Sequence, residues 1–566
     1  MTRFFSKIGT VCALAAALAL TVEAANTVWK PLTAGDWLEP TNWVSGLPDA
    51  GGNLLAYIDN GGTAVLTGSG ESAGVTLGAS AGKRGTARLE GAAAWLSNAV
   101  AVVSLGSSGT GVWVQAGGFL WSDKGFRLGY YAGSLGDLAV SNGLIVMYGD
   151  FTIGGNVGDG LVRQSGGTVE LRTAGVNNGR FSCSSGDYEL TGGRFVVTGY
   201  NFNVGTTAGK TGRVTVDGPD AVLDVRNAAL VNGVGASIGN SAVGELAFRQ
   251  GAVYFDAGVL VGNSHTGLIL QTGGIAEFRA VTLGSAAGGS GEYRLEGGTL
   301  RVDKSAWPER SVIAGASGSG VFYFGTAGGA GDLQQKQAGC GMIVRQGAAG
   351  SGEFRGWSDD GVTNRFGLTG PLQNSGRIVA DGYGVARALN MTGLASVATL
   401  IYSGPGETNG WFAVNRGKLM LPPVSVASSA ANWGHSASNT EMNLINAVRW
   451  TFKGTTSGKV WGELLAADRA DVPGPGALEA VSVHAFSGLA FTNGALSLRY
   501  DPSAAAVRGI PEDQLKLFRW NGSAWAELNA SLNTSKKLIA VSDLNAMGLF
   551  AAGRRTLRAG SLLMIR

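Results

Sequence analysis

A unit of about two dozen residues recurs along the middle of this chain, and that period limits the architectures open to it. The runs Gly186–Val197 (GDYELTGGRFVV) and Gly291–Val302 (GEYRLEGGTLRV) align without a gap, and seven further copies can be placed. The residue four before the turn reads Ala87, Trp113, Leu138, Val162, Tyr188, Val214, Leu246, Ile269, Tyr293. Two before the turn stand Leu89, Gln115, Val140, Gln164, Leu190, Val216, Phe248, Gln271, Leu295. The turn column itself reads Gly91, Gly117, Asn142, Gly166, Gly192, Gly218, Gln250, Gly273, Gly297, at intervals of 26, 25, 24, 26, 26, 32, 23 and 24. Most copies then carry an apolar residue followed by Gly, as in Leu105-Gly106, Ile153-Gly154 and Leu283-Gly284. Each unit therefore holds about three short strands with Gly corners.

Within a strand the apolar residues alternate: Tyr293 and Leu295 point one way, Arg294 and Glu296 the other. The unit is too short for a propeller blade of about 40–45 residues. One coil cannot bury its own apolar face, but stacking coils buries it and pairs the backbone. The sequence thus predicts an all-β chain: a right-handed parallel β-helix (solenoid) with an N-terminal cap and a C-terminal antiparallel β-sandwich. Gln115, Gln164 and Gln271 interrupt an apolar column. A buried amide needs partners, so each is expected to bond the backbone of its own Gly-Gly corner.

Composition agrees with a folded chain. Gly reaches 94 of 566 residues, hydrophobic residues 45% and charged residues only 15%, the reverse of a disordered chain. Thirteen Pro and no strict Gly-X-Y period exclude collagen. The net charge of +3 is scattered, so no nucleic-acid partner is expected.

Residues 1–25 read as a signal peptide, with basic Arg3 and Lys7, an apolar run from Ile8 to Thr21, and cleavage near Ala24/Ala25. That run is short for a membrane span, and no later segment approaches about 20 apolar residues, so no transmembrane span is expected in the mature chain. Cys12 lies in that run, which leaves Cys183 and Cys340 far apart in different repeat segments; they read as inert buried thiols, with a disulfide in an oxidising compartment as the alternative. Residues 26–84, with Trp29, Trp37 and Trp43, are expected to form an N-terminal cap and first coil; the same tryptophans could instead stack on sugars. Solenoid repeats follow over 85–330, degenerate coils and a closing cap over 331–445, a β-sandwich over 446–553 and a tail over 554–566. Glu441 to Val448 reads as a short helix, and Asn521-Gly522 as a hairpin turn before Trp525. The one long interval places an insertion near Asn227–Ala236, either a surface loop or a binding loop.

No catalytic constellation emerges. His265, His435 and His484 lie in separate segments without metal-ligand spacing. Gly154–Leu161 partly matches a calcium-binding nonapeptide, but Val157 stands where Gly is needed and no tandem copy follows. Asp217, Asp220 and Asp224 are the nearest thing to a carboxylate cluster, and turn formation at Gly218-Pro219 explains the first two more simply. No metal, cofactor or catalytic residue is therefore assigned. Among Trp113, Trp121, Tyr130, Tyr131 and Tyr148, Trp113 falls on the inward column, and Tyr130 with Tyr131 after a corner form the ligand-binding candidate.

Trp37, Asn42-Trp43 and Gly46-Leu-Pro-Asp49, followed by Gly-rich coils, resemble the autotransporter-associated β-strand repeat proteins over roughly residues 26–330. The resemblance implies an exported, surface-displayed β-helix, often adhesive. Residues 448–566 are too few for a translocating barrel, so self-translocation is not expected. The expected function is that of a secreted or cell-surface structural or adhesive protein without catalytic activity, its partners surface glycans or other cell-envelope proteins. The alternative is a carbohydrate-binding or polysaccharide-degrading β-helix protein, such as a lyase or glycoside hydrolase.

Overall fold

The structure is a computed structural model that describes residues 25–173, 179–226, 234–303, 312–324, 332–335, 342–344, 352–356, 365–367, 372–374, 377–381, 388–390, 400–401, 411–416, 418–420, 424–426, 430–433, 447–453, 458–465, 467, 472–474 and 477–556. Residues 1–24 of the expected signal peptide, Cys340, His435, most of the expected insertion after Asn227, most of the expected helix from Glu441 and the end of the tail lie outside these residues. Among the described residues the fold is all-β, a parallel β-solenoid of about 11 turns with antiparallel sheets near the C-terminus. The chain divides into two compact units, residues 1–162 with 167–174, and residues 163–166 with 175–566.

In the first unit each coil from Arg84 on has three strands. Arg84–Leu89, Trp95–Asn98 and Val103–Leu105 are followed by Thr110–Gln115, Phe119–Ser122 and Gly125–Leu128. Each strand pairs in parallel with its counterpart one coil on, so Ala87 stands beside Trp113 and Trp113 beside Leu138. The inward column read from the sequence is thus a physical stack within this unit, and all nine residues of the column are buried. Burying one such aliphatic or aromatic side chain contributes roughly 1.5–3 kcal/mol.

The coils begin earlier than expected. Ala25–Val28 pairs in parallel with Leu54–Ile58, and Ala34–Asp36 with Thr63–Leu66. Residues 26–84 are therefore mostly coil. The capping element is the stretch after Trp37, which replaces the second strand of the first coil. There Trp29, Trp37 and Trp43 are all buried, with edge-on ring pairs 4.9 and 5.1 Å apart. The Trp43 indole N–H donates to the Trp37 carbonyl at 2.8 Å. These rings form a cap core and do not present faces to solvent.

In the second unit the same inward column runs through Tyr188, Val214, Leu246, Ile269, Tyr293, Phe322 and Phe354, each in register with the next. Tyr293 and Phe322 stack at 5.2 Å, and Phe322 and Phe354 at 5.8 Å. The left-handed corner residue sits one place later than the turn column suggested. It is Gly118, Gly143, Gly167 and Gly193, directly before the second strand of each coil, whereas Gly91 alone keeps the expected place. At Gly118 a Cβ would come 2.3 Å from the carbonyl oxygen of Ala94 in the coil before, so backbone approach as well as φ requires Gly.

Two antiparallel sheets end the second unit. One contains Gly458–Leu465, Leu478–Ser487, Leu549–Arg555, Lys516–Trp520 and Trp525–Glu527. The other contains Ala430–Trp433, Val448–Phe452, Gly494–Arg499, Leu538–Leu544 and Ser531–Asn533. Trp450 of the second meets Phe486 and Phe550 of the first at 5.5 and 5.7 Å, so the sheets face one another across an aromatic core. The sandwich outruns its expected limits of 446–553. Val424–Val426 and Ala430–Trp433 already pair into it, and Leu549–Arg555 carries it into the expected tail. These short segments complete antiparallel ladders with strands far along the chain, which no local pattern reveals. The Asn521-Gly522 hairpin exists, but its loop has four residues: Trp520 pairs with Trp525, and the Asn521 side chain accepts from Ser523 and Ala524 N–H. A short helix, Pro502–Val507, capped by Asp501, was not expected.

Candidate binding face

The three interior glutamines behave as their chemistry demands. Gln115 Nε2 donates to Gly117 O at 2.6 Å, Gln164 Nε2 to Gly166 O at 3.3 Å, and Gln271 Nε2 to Gly273 O at 3.4 Å. Each amide oxygen also accepts from a buried aromatic donor, which the sequence reading had not foreseen. The donors are Trp113 Nε1 at 3.2 Å, Tyr188 OH at 2.5 Å and Tyr293 OH at 2.7 Å. Gln164 and Gln271 further bond Arg194 O and Thr299 O of the following coil. These groups are internally satisfied and tie neighbouring coils together.

Outward charges pair between coils. Arg213 bridges Asp187 and Glu245, and Arg301 reaches Glu277. The acidic trio does not converge. Asp217 pairs with Arg249, and Asp224 is a buried carboxylate held by Arg194 and Arg226. Asp224 lies in the strand Val222–Val225, not in the turn, so the spacing that suggested a cluster instead spans two structural contexts. Among the described residues no group of three His, Cys, Asp or Glu side chains could hold a metal ion. Burial pushes the Cys183 thiol up to about 12, which keeps it protonated and unreactive. Burial likewise lowers His484 to about 3, so it is neutral at physiological pH.

Tyr130 and Tyr131 lie at a corner of the first unit with their rings edge-on at 4.9 Å. Tyr130 is half-buried; its ring lies against Gly155 of the next coil, and the Arg127 guanidinium sits 5.1 Å from its centroid. Tyr131 is exposed, held by Ser134, whose hydroxyl donates to its carbonyl at 2.6 Å. Only one of the pair therefore presents a substantial ring surface.

A broader aromatic surface lies on the second strand of each coil. Trp95, 46% exposed, stands in register with Phe119. Trp121 packs on Tyr148 of the next coil at 4.9 Å, and its indole N–H donates to Asp123 at 2.7 Å. Arg172, one coil further, donates to Tyr148 OH at 3.2 Å and to Glu170 at 2.7 Å. The strip runs Trp95, Phe119, Trp121, Tyr148, Arg172 along one outer face of the first unit. Trp121 and Tyr148 were sequence candidates; Trp95 and Phe119 were missed. The available signal was their alternation with buried Leu96 and Leu120. The chain matches no family model, and neither the curated proteins nor the solved structures contain a match to it.

Proposed function

We propose that this chain is an exported, surface-displayed adhesive β-solenoid that binds through side-chain platforms on its coils and carries out no chemistry. The observation that supports this reading best is the pairing of its outward charges. Arg213, Arg226, Arg249 and Arg301 bind carboxylates on neighbouring coils or their own strand, so these groups serve coil stacking. A polysaccharide lyase or hydrolase needs carboxylates converging on one bond. The resemblance of the Trp37 to Asp49 stretch to autotransporter-associated β-strand repeat proteins, and the signal-like residues 1–25, favour export and display.

Two measurements test it. Beads coated with the purified chain should adhere to cells or glycan-coated surfaces, while reducing-end release and unsaturated-product absorbance from a polysaccharide panel stay at background. Turnover of any polysaccharide would overturn the non-catalytic reading. N-terminal sequencing of the secreted or surface-exposed fraction should begin near Ala25; an intact Met1 there would refute cleavage.

A further inference from the structure

A pocket of about 450 Å³ opens beside the aromatic strip, where the stretch after Trp37 lies along the strand Ser69–Ser72. Its walls include Leu47 and Pro48, and its polar groups come from Trp37, Ser69, Asp49 and Glu71, with Trp95 on the rim. We propose that this pocket binds one pyranose residue of a surface polysaccharide, with the aromatic strip as the track for neighbouring residues. The proposal deepens the adhesive reading and rests on it.

Four features point to a sugar ring. Trp95 is the most exposed aromatic ring of the strip and offers an apolar face for the C–H side of a pyranose. Glu71 is exposed and makes no hydrogen bond or ion pair among the described residues, so its carboxylate can accept from two vicinal hydroxyls. Asp49 is less available, because each of its oxygens already accepts one N–H, from Gly51 and Gly52 at 2.9 and 2.8 Å. Trp37 is 2% exposed, yet its indole N–H has no acceptor among the described residues. That Nε1 lies 3.3 Å from where a Cβ on Gly70 would stand, and Gly70 itself lines the pocket. A nearly buried donor, a free carboxylate and an exposed indole face thus bound a space within the usual size range of small-ligand sites.

An added peptide strand fits less well. Ser69–Ser72 pairs only with Trp95–Asn98 among the described strands, so its other edge lacks a strand partner. Leu38, Leu47 and Pro48 line the pocket together with Ser69 and Glu71, so side chains bound the space, which suits a compact ring better than an extended backbone.

The test uses the full-length secreted chain on an array of immobilised neutral glucan, mannan and galactan oligosaccharides. Isothermal titration with the tetrasaccharide of strongest signal follows. Trp95→Ala and Glu71→Gln should each weaken binding by about tenfold, and Trp95→Phe should recover part of the loss. Val157→Ala, at an exposed residue that does not line the pocket, should leave affinity unchanged. Far-ultraviolet dichroism and melting temperature should stay at wild-type values, since Trp95 and Glu71 are exposed. Array binding that ignores Trp95→Ala and Glu71→Gln would overturn this pocket while leaving the adhesive reading intact. No array binding, with capture instead of a library peptide sensitive to Trp95→Ala, would replace the sugar by an extended peptide. Adhesion failing altogether would sink both readings.

Discussion

Gln271 and Tyr293 offer a quantitative check on how the coils hold one another. Tyr293 is wholly buried and donates to Gln271 Oε1 at 2.7 Å, while Gln271 Nε2 donates to Gly273 O at 3.4 Å and Thr299 O at 3.1 Å. Tyr293→Phe leaves one amide oxygen without its donor and should cost about 1–2 kcal/mol. Gln271→Leu strands the Tyr293 hydroxyl and takes a donor from three carbonyls, those of Gly273, Gly274 and Thr299, for about 2–4 kcal/mol. In the double variant the stranded hydroxyl is gone, so the two losses should overlap by about 1–2 kcal/mol. Urea unfolding followed by intrinsic fluorescence measures each value. Hydrogen exchange at Thr299 to Val302 shows whether the loss is centred on the following coil. Losses that add to within about 0.5 kcal/mol would refute a shared buried bond.

Three other outcomes follow from the same geometry. Gly106 has φ of +66° and a Cβ there would lie 2.1 Å from Leu135 O, whereas Gly133, at +75°, has open space around it. Gly106→Ala should therefore lower the melting temperature far more than Gly133→Ala, which meets only the backbone cost of about 1–2 kcal/mol. Buried His484 titrates near 3 when folded and near its ordinary value when unfolded, so the unfolded state binds more protons between those pH values. Stability of the sandwich should fall as pH drops from about 6.5 to about 3, and His484→Gln should flatten that part of a pH series of melts. Asp224→Ala leaves Arg194 and Arg226 without their shared carboxylate. It should cost about 1–3 kcal/mol by chemical denaturation, moderated because both arginines reach solvent.

The inward column was legible because alternation within a strand and a fixed period between strands constrain the same residues twice. Tyr188, Leu246 and Tyr293 needed no tertiary information to be placed inside. The corner was misplaced by one residue, because consecutive glycines such as Gly117 and Gly118 satisfy the pattern equally and only φ separates them. Tyr130 and Tyr131 drew attention as an aromatic pair after a Gly, but packing against Gly155 of the next coil covers one of them. Trp95 and Phe119 were passed over because their strand has only four residues, too few for its outward side to stand out. The pocket could not be read at all: Trp37, Glu71 and Trp95 meet only because a stretch without repeat character replaces a strand in the first coil. The sandwich limits failed for a similar reason, since Ala430–Trp433 finds its partner in Val448–Phe452 across the intervening segment.

The stacking itself can be measured with spin labels. Arg213, Glu245, Leu268, Glu292 and Val321 follow one another in register, one coil apart. Four steps of about 4.8 Å place the backbone of Arg213 and Val321 about 19 Å apart. With Cys12, Cys183 and Cys340 replaced by Ala, labels at Arg213→Cys and Val321→Cys should give one narrow dipolar distance distribution centred within several Å of that value. A broad distribution, or a mean beyond about 35 Å, would contradict the stacked-coil account.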